Sequence, residues 1–127
     1  GICGGMQIMA RTSEEGTLLG LGWIEGEVKR FPESRDGHKI QLPQMGWNDV
    51  LPRQGGGLFR GLESGARFYF LHSYYMALRN DEDVLAVTDY HGRYASSIHS
   101  KNIYGVQFHP EKSHHWGIGL LKNFAEL

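Results

Sequence analysis

Apolar and polar residues alternate most clearly between Ile24 and Phe31, where Ile-Glu-Gly-Glu-Val-Lys-Arg-Phe reads as a half-buried strand. Before it, Met6 to Ala10 follow a glycine pair and are mostly good helix formers, which predicts a helix from about Gly5 to Thr12. Gly16 to Gly22 reads as loop, and Pro32 to His38 as a turn-rich loop. Lys39 to Leu42 and Met45 to Val50 are short extended segments around Pro43, and Leu58 to Leu62 fits one helical turn. Arg67 to His72 is rich in aromatics and reads as a buried strand. Tyr75 to Leu78, Val84 to Tyr90 and Tyr94 to Ile98 continue that pattern, and Asn102 to Phe108 forms another buried strand. From His114 to Leu127 the period becomes helical, with Trp116, Leu120, Leu121, Phe124 and Leu127 on one face and Ser113 placed as the N-cap. The order is helix, many strands, final helix. It predicts an α/β fold with a central mixed sheet and an antiparallel extension.

Composition narrows the class. Hydrophobic residues make up 40% and charged residues 21% of 127 residues, as in an ordinary globular chain. No repeat or linker divides it, so one domain over 1–127 is expected. The formal charge of -1 includes no basic excess, which argues against a nucleic-acid partner. No apolar run approaches the roughly 18 residues of a membrane span, so no membrane partner is expected. The single cysteine leaves no disulfide within the chain and points to a reducing compartment, the cytoplasm.

That cysteine is also the first candidate for chemistry. Gly1-Ile2-Cys3-Gly4-Gly5 fits the thiol form of a nucleophile elbow, a sharp strand-to-helix turn flanked by small residues. A thiol there meets the free N–H groups and dipole of a helix start, which favour thiolate. The backbone N–H of Gly4 is placed to stabilise an oxyanion. Read blandly, Cys3 is a small hydrophobe beside a glycine turn. His109-Pro110-Glu111 follows an apolar strand and should emerge at its C-terminal end, where open α/β sheets bind ligands. His109 can serve as the base and Glu111 as the group that orients it. Read alone, His109 simply closes a strand. Metal is not expected: His109, His114 and His115 fit no standard zinc spacing, and Cys3 is the only thiol. Asn80 to Asp83 reads as a solvated acidic turn.

Taken together the segments are more specific. Gly-Ile-Cys-Gly-Gly-Met-Gln at 1–7 and Gln-Phe-His-Pro-Glu-Lys-Ser at 107–113 resemble a class I, triad-type glutamine amidotransferase domain. Ser13-Glu14-Glu15-Gly16, Pro43-Gln44-Met45-Gly46-Trp47-Asn48 and Phe68 to Tyr75 resemble, more narrowly, the glutaminase subunits of imidazole glycerol phosphate synthases. The likeness runs over essentially the whole chain. It implies the C-terminal part of a flavodoxin-like three-layer domain with a nucleophile elbow. It implies a Cys3, His109, Glu111 triad that hydrolyses glutamine, with no cofactor. It implies that Gln7, Glu15, His72, Ser73 and Tyr74 hold the glutamine substrate. Met45, Trp47, Asn48 and Lys112 would meet a cyclase partner with a (β/α)8 barrel, in a heterodimer of histidine biosynthesis. Without the resemblance, Gln7 and Glu15 read as solvated side chains, and Met45 and Trp47 as core.

Two departures stand out. Gly4 occupies a position where the family more often has a larger apolar residue, and Gln44 one where the synthase subunits often have histidine. Family members also carry β-α units before the nucleophile, so residues 1–127 are expected to lack these and to be unstable or inactive alone, with a sheet edge left open. Other readings remain: an ammonia-supplying subunit for a sugar amidotransferase of surface polysaccharide synthesis, a cysteine peptidase or deglycase on a related fold, or an inactive interaction module. The intact Cys3, His109 and Glu111 argue against the last.

Overall fold

The computed structural model describes residues 1–127 as a mixed α/β chain with several sheets and few helices. In chain order its elements are α1 (Gly4–Gln7), β1 (Thr12–Ser13), β2 (Gly26–Arg30), β3 (Ser34–Arg35), β4 (His38–Lys39), β5 (Gln44–Asp49) and β6 (Leu51–Pro52). There follow β7 (Arg67–His72), β8 (Tyr74–Leu78), β9 (Val84–Asp89), β10 (Arg93–Ser100), β11 (Ile103–Val106) and α2 (His114–Ala125). Single 3₁₀ turns cover Gly57–Phe59, Asp81–Asp83 and Pro110–Lys112.

The strands fall into four groups: β1-β2-β8, β11-β10-β9-β6, the pair β5-β7 and the hairpin β3-β4. Pairing is antiparallel except at two places, β1 along β2 and the bridge from Ile2 to Val106. That bridge matters for the site. Val106 donates its N–H to the Gly1 carbonyl (3.0 Å), and Cys3 donates to the Val106 carbonyl (2.8 Å). Residues near the two ends of the chain are thereby zipped together.

Two apolar clusters hold these layers. One joins Phe31, Phe59, Phe68, Phe70, Phe108 and Leu120, with Phe68 stacked on Phe108 at 4.1 Å between centroids. The other packs Met6 and Met9 beneath the elbow against Ile24, Val28, Met76 and Ile98. Gly105 is needed for this approach, since a Cβ there would lie 2.6 Å from Met6 Cγ. No helix is long and apolar enough to cross a membrane.

Several expected elements differ in extent. The predicted first helix, Gly5 to Thr12, is helical only over Gly4–Gln7. Past it, Arg11 donates to the Gly26 carbonyl and Thr12–Ser13 joins β2, so the ladder captures residues whose local preference was helical. The loop at Pro32 to His38 contains the short hairpin β3-β4, which carries no apolar pattern. Helix α2 forms, but Leu121, Phe124 and Leu127 are exposed and the inward line runs through Gly117, Leu120 and Asn123. Asn123 explains the rotation: its amide donates to the Leu58 and Arg60 carbonyls (2.9 and 2.8 Å), tying a polar residue into the core. Ser113 is not a side-chain N-cap. Its hydroxyl donates to the His109 carbonyl (2.6 Å) and accepts from the Tyr69 N–H (3.0 Å).

Gly117 sets the distance between α2 and the turn that carries Glu111. A Cβ at this position would sit 1.8 Å from the Pro110 carbonyl oxygen, a backbone atom that cannot swing aside. Gly117→Ala is therefore expected to cost about 1–3 kcal/mol or more through overpacking, measured as a lower urea midpoint.

Candidate active site

The elbow places its cysteine under backbone constraint. Cys3 has φ 50 and ψ -112, a conformation that L residues seldom adopt and that over-determined functional turns hold. Gly1 is required by space, because a Cβ there would meet the Gly5 carbonyl oxygen at 2.5 Å. Gly4 and Gly5 are not so constrained: a Cβ at either meets nothing within 4 Å. The expectation that both flanks must be small is thus corrected on the C-terminal side, and the glycine at position 4 is not sterically demanded.

The thiol is also not the ready thiolate that the elbow pattern predicted. Burial pushes the Cys3 thiol up; the Gly4 N–H and the Gln107 amide pull it down, and the charges of Glu111 and Glu15 push it up again. Burial is the largest of these effects, and α1, with four residues, is a short helix start. Sγ lies 3.9 Å from the Leu71 carbonyl and 3.5 Å from Gln107 Nε2.

His109 and Glu111 come together as the sequence suggested, with His109 Nδ1 3.1 Å from Glu111 Oε2. The segment is held from below. The His109 N–H donates to the Tyr69 carbonyl (2.9 Å), and the Ser113 hydroxyl closes onto the His109 carbonyl. Pro110 opens the 3₁₀ turn that brings Glu111 back to the ring. His114 stacks on Trp47 and His115 packs on Trp116, so neither joins His109 in a cluster.

Gly4, Gln7 and Glu15 line one cleft next to the elbow, together with Ser13, Leu18 and Leu19. Glu15 is exposed there, whereas Glu14 is tied to the Arg30 N–H (3.0 Å). His72, Ser73 and Tyr74 lie where β7 passes into β8. They act inward more than toward the cleft: the Tyr74 carbonyl accepts from both His72 Nδ1 (2.7 Å) and Gln7 Nε2 (3.1 Å).

That carbonyl can only accept, which fixes the His72 tautomer. Nδ1 carries the proton, and Nε2 accepts from the Gln44 amide (2.8 Å) and the Tyr94 hydroxyl (3.2 Å). Gln44 Oε1 in turn accepts from Asn48 Nδ2, which also donates to the Asp89 carbonyl (2.8 and 2.9 Å). Burial drives the His72 pKa down to about 4, with the His109 charge adding to it and the Tyr74 carbonyl opposing. His72 is therefore a neutral strut.

The residues named for a partner face divide by strand alternation. Met45 and Trp47 point outward and are 67% and 40% exposed, with Trp47 set edge-on to Tyr69. Lys112 Nζ lies 6.0 Å above the Tyr69 ring, on the same face. Asn48 falls on the opposite side of β5 with Gln44, where its amide holds β9. Sequence reasoning gave no site role to Tyr94, Gln107 or Ser113, reading Ser113 only as a helix N-cap. Of these, Gln107 is a polar side chain between apolar neighbours, Val106 and Phe108, which was the available signal.

Because His72 is folded neutral with its pKa below the usual 6.5, the unfolded chain binds more protons between those values. Stability is fully present above about pH 6.5 and falls as pH drops toward 4, by about 3 kcal/mol from this residue. Denaturation series at pH 7 and pH 5 should show that slope, and His72→Asn should flatten it.

The description "Glutamine amidotransferase class-I" fits residues 1–126 by family model. The chain is 52% identical over 127 residues to the imidazole glycerol phosphate synthase subunit HisH of Leptospira interrogans, covering 100% of this chain and 62% of that protein. It is 50% identical to the subunit of the same name from Bdellovibrio bacteriovorus, again covering 62% of it. The chain thus spans about three-fifths of the length of these curated relatives. A crystal structure of a Thermoplasma acidophilum protein, named for one of the chains of GMP synthase, superposes with a TM-score of 0.71 at 23% identity. The match covers 99% of this chain and 54% of that one and is a likeness of fold. With an elbow cysteine, a histidine–glutamate pair beside it and a family match from end to end, the chain belongs to the class-I glutamine amidotransferases.

Proposed function

We propose that this chain is the catalytic part of a glutaminase subunit of imidazole glycerol phosphate synthase. It would hydrolyse glutamine to glutamate and ammonia for a cyclase partner in histidine biosynthesis. The observation that carries the reading is the His109–Glu111 pair held on the turn after β11, beside the elbow that β11 itself anchors. The names of the relatives support the synthase over a surface-sugar enzyme.

In this reading glutamine enters the cleft between α1 and the Leu18–Leu19 loop. Its ammonium group faces Glu15, and Gln7 Oε1 is free to receive a donor, since only Gln7 Nε2 is engaged. The resting thiol is protonated, so His109 takes the proton as sulfur attacks the side-chain amide carbon. Glu111 orients the ring and stabilises its charge. The tetrahedral oxygen points to the Gly4 N–H. Collapse expels the amide nitrogen, which leaves as ammonia with the proton from His109. Water then attacks the glutamyl thioester, His109 accepts its proton, and glutamate and the thiol are released. One water is consumed per glutamine.

Met45, Trp47 and Lys112 form the face offered to the cyclase, with Tyr69 between them. Their exposed aromatic and cationic groups suit a partner contact. Asn48 contributes by holding β5 rather than by direct contact.

In the full-length protein with its cyclase, Cys3→Ala is expected to abolish glutamine-dependent synthesis while sparing synthesis from added ammonia. Loss of both activities, or survival of both, would overturn the assignment of the nucleophile. Glu111→Gln is expected to lower glutaminase kcat by about 10²–10⁴-fold with little change in KM, since it removes the charge that supports the imidazolium.

A further inference from the structure

Gln107 is fully buried, two residues before the candidate base, and its amide nitrogen lies 3.5 Å from the Cys3 sulfur. An amide can present either end to a neighbour, and the neighbours here decide which. The Tyr74 carbonyl only accepts, so Gln7 must turn its nitrogen toward it. The same nitrogen lies 3.0 Å from Gln107, so Gln107 presents its oxygen to Gln7. The nitrogen of Gln107 is then left facing sulfur. From the other direction, the Asp89 carbonyl fixes Asn48, Asn48 fixes Gln44, and Gln44 fixes His72, whose Nδ1 proton meets the same Tyr74 oxygen. Both chains of donors end on one carbonyl and agree.

We propose that Gln107 is a catalytic residue, an oriented N–H donor that stabilises the Cys3 sulfur as thiolate each time sulfur gains charge. This rests on the glutaminase reading for its place in a turnover. Sulfur is anionic just before attack and again when the thioester breaks, and a donor at 3.5 Å strengthens as charge grows on the acceptor. Carbon–sulfur bond formation moves that charge to the carbonyl oxygen, and its return accompanies release of glutamate. Water cannot take over the role, because the amide is sealed between β11, α1 and the β7–β8 junction. The other charged groups facing sulfur are Glu111 on the 3₁₀ turn and Glu15 on the cleft wall, both of which oppose thiolate. His109, which takes the thiol proton in that reading, stands on the turn after the strand. Gln107 and the Gly4 N–H are thus the hydrogen-bond donors that act against burial and two carboxylates.

The test is the pH dependence of Cys3 alkylation by iodoacetamide in the intact protein. Gln107→Met is expected to raise the alkylation midpoint by about one pH unit while leaving the high-pH plateau rate unchanged. Gln107→Glu keeps the acceptor toward Gln7 but sets a second ionisable group on sulfur, and should raise the midpoint further because the pair then shares one proton. The glutamate variant is near-isosteric and decides the matter if the methionine variant fails to fold. A midpoint unmoved or lowered in the folded variants overturns the proposal, since loosened packing alone would resolvate the sulfur and lower the midpoint. Glutamate release is measured separately on the unsubstituted protein with its cyclase. If none is released while the midpoints still shift, the glutaminase reading fails and the thiolate role of Gln107 stands.

Discussion

Everything at the site depends on three backbone residues at the start of the chain lying parallel to β11. The exchange between Gly1, Cys3 and Val106 is the link that brings Cys3 beside the segment from Gln107 to Glu111, about a hundred positions away. A bond of this kind contributes roughly 1 kcal/mol net, so the pairing survives because packing supports it. Gly105 lets Met6 sit against the strand, and Phe108 stacks on Phe68 directly beneath. The elbow's unusual φ is tolerated because both of its ends are held.

From that junction the polar interior follows with little freedom. Its orientations are set by backbone carbonyls, which accept and never donate. Two such oxygens, at Asp89 and Tyr74, orient the amides of the relay, and with them one imidazole. A network of this sort is costly if half-satisfied and rigid if complete. Here it is complete from Asn48 to the sulfur. That rigidity explains how a buried histidine between two aromatic strands can remain neutral and useful.

Much of this was legible in the residues. The aromatic run at 67–72 gave β7 its full extent, because strand alternation puts Phe68, Phe70 and His72 together on one buried face. The elbow and the His-Pro-Glu triplet were visible as short patterns, since their chemistry demands particular residues at fixed spacing. Less legible was whatever depended on a distant partner. The first helix lost its second half to pairing with Gly26, and the α2 stripe turned because Asn123 found carbonyls sixty residues away. The thiol's environment was misjudged for a similar reason: the pattern shows a helix start but not how deeply the sulfur is buried or which carboxylates surround it. Gln107 lay in plain view inside a recognised motif, yet nothing local says which end of its amide meets the sulfur.

Strand β5 carries two surfaces on one backbone. Met45 and Trp47 face outward, while Gln44 and Asn48 face the network behind the site. Side chains alternate strictly, so a single inserted or deleted residue between 44 and 49 would exchange the two faces. It would bury a tryptophan where an amide relay belongs and expose the relay to solvent. The hairpin β3-β4, a few residues earlier, has no such double duty and both of its strands are exposed. Length variation among natural forms of this protein should therefore gather at 34–39 and stop abruptly at Gln44, marking in the pattern of gaps a boundary that no single residue marks.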